Sequence, residues 1–578
     1  MATRKPPAAP ATPGRLGPED RDSDWERLGS ETFDLVIIGG GVVGVGAALD
    51  AATRGLRVAL VEARDLASGT SSRSSKLFHG GLRYLEQLEF GLVREALRER
   101  ELMLTRIAPH LVKPVSFLYP LTHRVWERPY TAAGLLLYDT MGGARSVPGQ
   151  KHLTRAGALR MVPALKPDAL IGGIRYYDAQ ADDARHTMMV GRTAAHYGAV
   201  VRTSTQVVAI LKEADRVSGV RVRDVEDGRE TDVHAHAVIN ATGVWTDELQ
   251  RLSGSRGRFR VRASKGVHIV VPRDRIVSES GMILRTEKSV LFVIPWRNHW
   301  IVGTTDTDWN LDLAHPAATK NDIDYILDHV NTVLATPLTH NDIEGVYAGL
   351  RPLLAGESES TSKLSREHAV ARVAPGLVAI AGGKYTTYRV MGADAVDAAS
   401  VDLPGRIQPS ITDKVPLVGA DGYHALVNQV DQLATRYGLH PYRVRHLLDR
   451  YGSLVHEVLE SADPELLKPV PSAPDYLQVE IVYAASHEGA LHLEDALTRR
   501  TRISIEYPHR GVDCAEAVAG LMARVHGWDQ ERITREVEVY TARVDAERAS
   551  QTEPDDQAAD AVRAAAPEAR PQLTEPVG

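Results

Sequence analysis

The chain has 578 residues, enough for about two to four domains, and with 43% hydrophobic and 25% charged residues it can bury a large core. A net charge of −7 with well-mixed signs offers nucleic acid no footing, and the single cysteine, Cys514, excludes an intrachain disulfide. No run approaches the ~18 apolar residues needed to span a bilayer, and residues 1–30 read as a disordered Pro- and Ala-rich tail without the apolar core of a secretory signal.

The first structured signal is Phe33–Asp50, a buried strand (Leu35–Ile38), a glycine turn and a helix of small apolar residues. Gly39 permits the tight turn, Gly41 lets backbone approach a pyrophosphate, and Gly44 lets the helix pack close on the strand. The anion then sits on the helix N-terminus. A second strand, Arg57–Val61, ends in Glu62, close to the ~20-residue offset of an acid that grips a ribose hydroxyl. That acid disfavours a 2′-phosphorylated ribose and leaves NAD or FAD. Ser68–Leu85 is rich in hydroxyls and glycines, suited to wrapping a cofactor; composition alone equally allows a polar surface loop.

Glu89–Ala108, Ala132–Thr140 and Arg155–Met161 have helical patterning, and Val115–Leu118 reads as a strand. A helix over Arg185–His196 follows the adjacent acids Asp182 and Asp183, whose position favours capping over metal binding. Val200–Asp224 reads as a β-meander. The apolar strand Ala237–Asn240 ends in Ala241-Thr242-Gly243, a carboxyl end where ligands of open α/β sheets gather, so the cofactor domain resumes here after an insertion.

Next come a strand carrying Ser264–His268, a hairpin over Val290–Gly303, an amphipathic helix over Asn321–Leu334, and a strand and turn presenting Arg351. The strand Leu377–Ile380 runs into Gly382-Gly383-Lys384 and a helix through about Ala399, a second junction able to aim a helix dipole at an anionic ring. Pro404, Pro409 and Pro416 mark a linker. Beyond it helical periodicity continues to Arg548, with no catalytic cluster: His487 and His492 diverge on a helix, and Cys514 reads as buried and inert.

Lys76–Leu85, the Gly39 motif, Ala348–Pro352, Ser365–His368 and Gly382–Thr387 together resemble the FAD-dependent, quinone-linked glycerol-3-phosphate dehydrogenases, over about residues 30–545 and including Asp495–Arg502. The resemblance implies an α/β fold: a Rossmann-like FAD-binding domain (about 31–110, 185–258 and 345–400) with an inserted mixed β-sheet substrate domain (about 111–184 and 259–344). A linker (401–420), a C-terminal α-helical domain (421–548) and a disordered tail (549–578) would follow. It further implies FAD as cofactor, sn-glycerol 3-phosphate as substrate, a membrane quinone as acceptor, no metal and a homodimer. The expected place is the cytoplasm, peripherally on the inner face of the cell membrane.

The chemistry needs a phosphate grip and a base. Arginines bind phosphate bidentately, so Arg83, Arg351 and Arg366, with Tyr84, are the expected substrate ligands. His268 is the expected base, with His79 its rival because it could instead lie against the flavin. Lys384, with the N–H groups of Gly382 and Gly383 and help from Thr387, would stabilise the reduced flavin. Thr70, Ser71, Ser72, Leu77, Gly80, Val207, Ala241, Thr242 and Gly243 complete the implied cofactor set. A glycerol-3-phosphate oxidase using O2 and a non-catalytic flavoprotein binding a phosphorylated metabolite stay open as alternatives.

Overall fold

The computed structural model describes residues 14–81, 89–123, 146–254, 259–286, 290–355, 368–460 and 462–573, together with residues 131, 134, 135 and 138. Two large sheets organise the chain. The first holds β1 (Thr32–Ile38), β2 (Val58–Val61), β7 (Val200–Arg202), β8 (Thr205–Glu213), β9 (Arg216–Asp224), β10 (Glu230–Asn240), β17 (His368–Ala374) and β18 (Leu377–Gly382). Its path is β17-β18-β10-β1-β2-β7, and β9 and β8 form an antiparallel extension from β10. β1 lies parallel to both β2 and β10, and from Phe33 onward it is buried on both faces, as a central parallel strand covered on each side must be. The helix Val42–Thr53 packs on this sheet between the helices Asp183–His196 and Tyr388–Ala399.

The second sheet contains β3 (Leu77–Phe78), β4 (Lys113–Leu121), β5 (Lys151–Thr154), β6 (Gly172–Gln180), β11 (Val261–Pro272), β12 (Gly281–Arg285), β13 (Val290–Trp296), β14 (His299–Gly303), β15 (Thr307–Trp309) and β16 (Gly345–Leu354). It is mixed: β12 runs parallel to β4 and the other pairs are antiparallel. Two boundaries move relative to the sequence reading. β3 and β16 belong to this sheet, not to the cofactor-domain segments 31–110 and 345–400. β16 pairs with β11 in unbroken register from Val261↔Leu354 to Val270↔Gly345, and such pairing is invisible in either strand alone.

After residue 420 the chain is mainly helical, including Pro441–Tyr451, Gln478–His487, Ala515–His526 and Gln530–Ser550. Buried charge ties these helices to the first sheet's domain. Asp65 accepts from Arg499 at 2.5 Å and from Arg500 at 2.7 Å, while Arg185 grips Glu488 at 2.8 Å. Breaking one partner of such a buried pair costs about 3–5 kcal/mol, which gives the Asp495–Arg502 segment a structural task. Asp182 caps its helix by accepting from the Arg185 N–H, and Arg502 holds it well below the usual carboxylate range against the opposing effect of burial.

Both supposedly disordered tails contain ordered structure. Pro18–Ser30 is a helix that buries Leu28 and reaches Asp224 through Arg21 at 2.9 Å. Asp556–Ala564 is a helix that buries Ala559, and beyond it Arg570 donates to Asp495 at 3.2 Å and Ser204 at 2.8 Å. The composition suggested disorder because these anchors are polar contacts to partners 75 to 366 residues away in the chain. The helix expected over Ala132–Thr140 lies mostly outside the described residues. Among the described residues no helix is long and apolar enough to cross a membrane.

Candidate active site

A cavity of about 990 Å³ opens between the carboxyl ends of the first sheet's strands and one face of the second sheet. It lies at the upper end of the usual size range of ligand sites, ~300–1,000 Å³. One end is built by the glycine turn. Gly39 has φ +113°, and a Cβ there would meet the Ala241 carbonyl oxygen at 2.7 Å; one at Gly44 would lie 1.9 Å from the Gly39 oxygen. Gly41 precedes the helix Val42–Thr53 with no side-chain cap, and Ser71 Oγ accepts from the Val42 N–H at 2.9 Å. The helix N-terminus lies on the cavity wall at Gly41, Val42 and Val43, and beyond the Val42 N–H its first turn has no intrahelical acceptors, as an anion site requires. Glu62, at the end of β2, accepts from the Gly40 N–H at 2.6 Å and the Arg64 N–H at 2.8 Å. Burial pushes its carboxyl up, partly offset by these two amides.

The far wall is a single face of β11 and β16. Register sets Ser264 opposite Arg351, Gly266 opposite Gly349 and His268 opposite Tyr347, so these six side-chain positions share one surface. The two glycines make room. A Cβ at Gly266 would sit 2.5 Å from Arg351 Nη2, and one at Gly303, across from His268 on β14, would sit 2.5 Å from His268 Cδ2. The Arg351 guanidinium donates to Ser264 Oγ at 3.3 Å, Thr304 Oγ1 at 3.1 Å and the Thr305 carbonyl at 3.3 Å, with Asp306 at 3.5 Å. His268 stacks on Tyr347 with centroids 4.7 Å apart, and its Nε2 lies 2.9 Å from Ser75 Oγ. Burial, then Arg351, then Lys76 hold the imidazole well below its ordinary pKa, so it is neutral near pH 7. Lys76 stands behind Tyr347, 4.7 Å from the ring centroid and 2.9 Å from Asp183; burial and Arg502 bring its ammonium down to about 8.

A family model for FAD-dependent oxidoreductases matches residues 34–389, and one for the C-terminal domain of alpha-glycerophosphate oxidase matches residues 410–533. The glycerol-3-phosphate dehydrogenase of Mycobacterium leprae is 72% identical over 564 residues, covering 97% of this chain and 96% of its own. The chain belongs to the FAD-dependent glycerol-3-phosphate dehydrogenase family. Glycerol-3-phosphate dehydrogenase 2 of Mycobacterium tuberculosis is 73% identical over the same shares of each chain. The structure of the glycerol-3-phosphate dehydrogenase from Bacillus halodurans complexed with FAD superposes with a TM-score of 0.76 at 29% identity, covering 92% of this chain and 98% of that one. Neither family model extends past residue 533, although Asp560, Glu568 and Leu573 line the cavity.

FAD is the family's cofactor, and the cavity suits it. The capless helix N-terminus and the open side of Gly41 fit a pyrophosphate, Glu62 fits a ribose, and the remaining length fits an extended dinucleotide. Of the residues singled out from sequence, Gly39, Gly41, Glu62, Thr70, Ser71, Leu77, His79, Val207, Ala241, Thr242, Gly243, His268, Arg351, Gly382, Gly383 and Lys384 line the cavity. Three expected cofactor contacts do not, and Gly44 lies where its expected close packing puts it. Gly44 is packed under Gly39, and Ser72 is buried with its carbonyl accepting from Lys76 at 3.1 Å. Gly80 is buried beneath Leu97 and Tyr138, to whose hydroxyl its N–H donates at 2.8 Å. Thr387 is buried and turns its hydroxyl onto the Lys384 carbonyl at 3.3 Å. Arg83, Tyr84 and Arg366 lie outside the described residues. Ser75, Tyr347 and Asp306 were not foreseen, since only strand register and loop packing bring them to His268 and Arg351. The period-two run Ser264, Gly266, His268 was the available signal that those three share a face.

Proposed function

We propose that this protein oxidises sn-glycerol 3-phosphate to dihydroxyacetone phosphate and passes the electrons to a membrane quinone. The observation that carries the reading is the shared β11–β16 face: a neutral buried imidazole and a guanidinium on one wall of a dinucleotide cavity. FAD, when bound, supplies the two-electron acceptor for the carbon-bound hydrogen of the substrate.

The protein's own groups do the rest. Arg351 is held by two hydroxyls, a carbonyl and a carboxylate, all at 3.1–3.5 Å. A phosphate dianion at this guanidinium would form charge-assisted hydrogen bonds of ~2.7–2.9 Å. Asp306 orients the arginine indirectly by accepting from Ser264 Oγ at 2.5 Å. Gripping the remote phosphate fixes the secondary alcohol, which contributes to rate by removing its freedom to miss the reactive geometry. His268 takes the hydroxyl proton at Nε2, where Ser75 Oγ otherwise sits. A neutral imidazole is ready to accept it, and phosphate bound at Arg351 offsets the positive charge that depresses its basicity. Lys384 and the Gly382–Gly383 amides lie at the β18 end of the cavity, and we assign them the stabilisation of negative charge on the reduced cofactor. Arg83, Arg366 and Tyr84 are assigned to the substrate phosphate through the family motifs alone.

Anaerobic mixing with sn-glycerol 3-phosphate bleaches the flavin if this reading is right; an unchanged visible spectrum refutes it. Following reoxidation of the reduced protein by a quinone and by air then tests the acceptor, and faster reoxidation by air would favour an oxidase. Peripheral membrane association and a homodimer are proposed on the same family resemblance, and vesicle sedimentation and light scattering test them.

A further inference from the structure

A second, smaller cavity of about 100 Å³ lies where Tyr347, on the second sheet, meets the C-terminal helices, lined by Ser504, Arg510, Tyr540, Arg543, Glu547 and Arg563 among others. We propose that it is a binding site for a small oxyanion of the phosphate or sulfate class, adjoining the large cavity, with which it shares Arg73, His315 and Arg543, but centred on Arg510, which that cavity does not include.

Its lining sets five arginines, Arg73, Arg502, Arg510, Arg543 and Arg563, against two carboxylates, Glu494 and Glu547. Ser504 Oγ, Arg510 Nε and Nη1, Arg543 Nε and Arg563 Nε are all buried and meet no hydrogen-bond partner among the described residues. Each is a donor or, for the serine, able to donate. Unsatisfied buried donors cost ~1–3 kcal/mol apiece, and finding five such atoms around one small void is not expected of an inert packing defect. Water satisfies such a cluster poorly, because each molecule brings two donors of its own. An oxyanion brings acceptors only.

The charges agree. Arg510 is 5% exposed and forms no ion pair among the described residues. Burial pulls its guanidinium downward from the ordinary value. Glu547 is held by Arg563 at 3.7 Å, and Glu494, also on the wall, is held by Arg499 at 3.0 Å. Arg543 and Arg502 have outside partners, Glu568 at 3.2 Å and Asp182 at 2.7 Å. The positive charge without an ion pair among the described residues therefore sits on Arg510 and Arg73, and Arg510 is held in place because its carbonyl accepts from the Tyr540 hydroxyl at 2.5 Å. A void of this size admits one tetrahedral oxyanion.

The test uses the FAD-loaded full chain with inorganic phosphate as probe, comparing wild type with Arg510→Met. Arg510 lies outside the β11–β16 face, so phosphate competing at the substrate wall stabilises both proteins alike, and their difference reports this cavity. At ten times the dissociation constant, phosphate raises the wild-type melting temperature by about 1–2 °C more than that of the variant. Equal shifts overturn the proposal. Tungstate soaked into wild-type crystals gives a second reading that needs no variant: an anomalous peak within hydrogen-bonding distance of Arg510 supports the site, and water alone there overturns it, whether or not Arg510→Met folds.

Discussion

Gly266→Ala tests the substrate wall without touching either residue assigned to the chemistry. The added Cβ would lie 2.5 Å from Arg351 Nη2, 2.9 Å from its Cζ and 2.6 Å from Thr304 Oγ1. Comfortable contact is ~3.5 Å, so the guanidinium must retreat by about 1 Å. It is the tip of a flexible side chain, so the protein folds and the strain is spent on moving Arg351 and Thr304. A 1 Å misplacement of a positioning group costs on the order of 10²-fold in rate, equivalent to about 2.7 kcal/mol at 1.36 kcal/mol per decade. The assay is kcat/KM for sn-glycerol 3-phosphate, with flavin content measured on the same preparation. The expected result is a loss of about 10²-fold with flavin retained. In a double-mutant cycle with Arg351→Ala the two losses do not add, because both act through one guanidinium. A kcat/KM within twofold of wild type, or fully additive losses, would refute the placement of the phosphate grip at Arg351.

Three further outcomes follow from the same geometry. His268→Gln slows anaerobic flavin reduction by ~10²–10⁴-fold while flavin stays bound, and in the wild type kcat/KM does not fall as pH drops through 6.5, since burial and two nearby cations keep this base unprotonated there; loss of flavin from the variant would argue for a cofactor role instead. Removal of residues 551–578 deletes the Arg570–Asp495 contact and the Glu568 pairs with Arg543 and Arg64, costing roughly 1.5–3 kcal/mol per charged hydrogen bond lost, and speeds FAD release measured by flavin fluorescence; an unchanged release rate would show that the segment merely decorates the cavity. His492 is buried between Glu226 and Glu536, each 2.9 Å from a ring nitrogen; burial and Arg570 oppose its charge, yet the two carboxylates raise it to about 9. Its stabilisation is therefore complete below the ordinary 6.5 and lost as pH rises through 9, at most about 3 kcal/mol, so urea midpoints decline between pH 6.5 and 9 in wild type and stay flatter in His492→Gln.

What could be read from the chain beforehand divides along a physical line. The Gly39–Gly44 turn, the Glu62 acid and the Ala241–Gly243 strand end were legible because each depends on backbone conformation or on a contact within a few residues, and local sequence encodes both. His268 and Arg351 were reachable through motif resemblance, but their pairing was not. It arises from β11–β16 register across more than eighty intervening residues, and a one-residue slip would send the two side chains to opposite faces. Ser75 and Tyr347 were missed for the same reason: neither has a chemical signature apart from the imidazole it touches.

The C-terminal segment shows the complementary failure. Its Pro, Ala and Glu content is what a solvated chain has, and hydrophobic burial there amounts to little more than Ala559. Its order comes from charge: Asp556 on Lys265, Glu568 on Arg64 and Arg543, Arg570 on Asp495. Each of those partners sits in a different part of the chain, and Asp495 and Arg64 belong to, or adjoin, the interdomain cluster around Asp65. Those partners come together only in the folded chain, where Arg499 and Arg500 close on Asp65. The truncation above removes the part of the cavity wall formed by Glu568 and Leu573 and, with it, the Asp556 partner of Lys265 on β11, while it leaves the residues of the glycine turn in place.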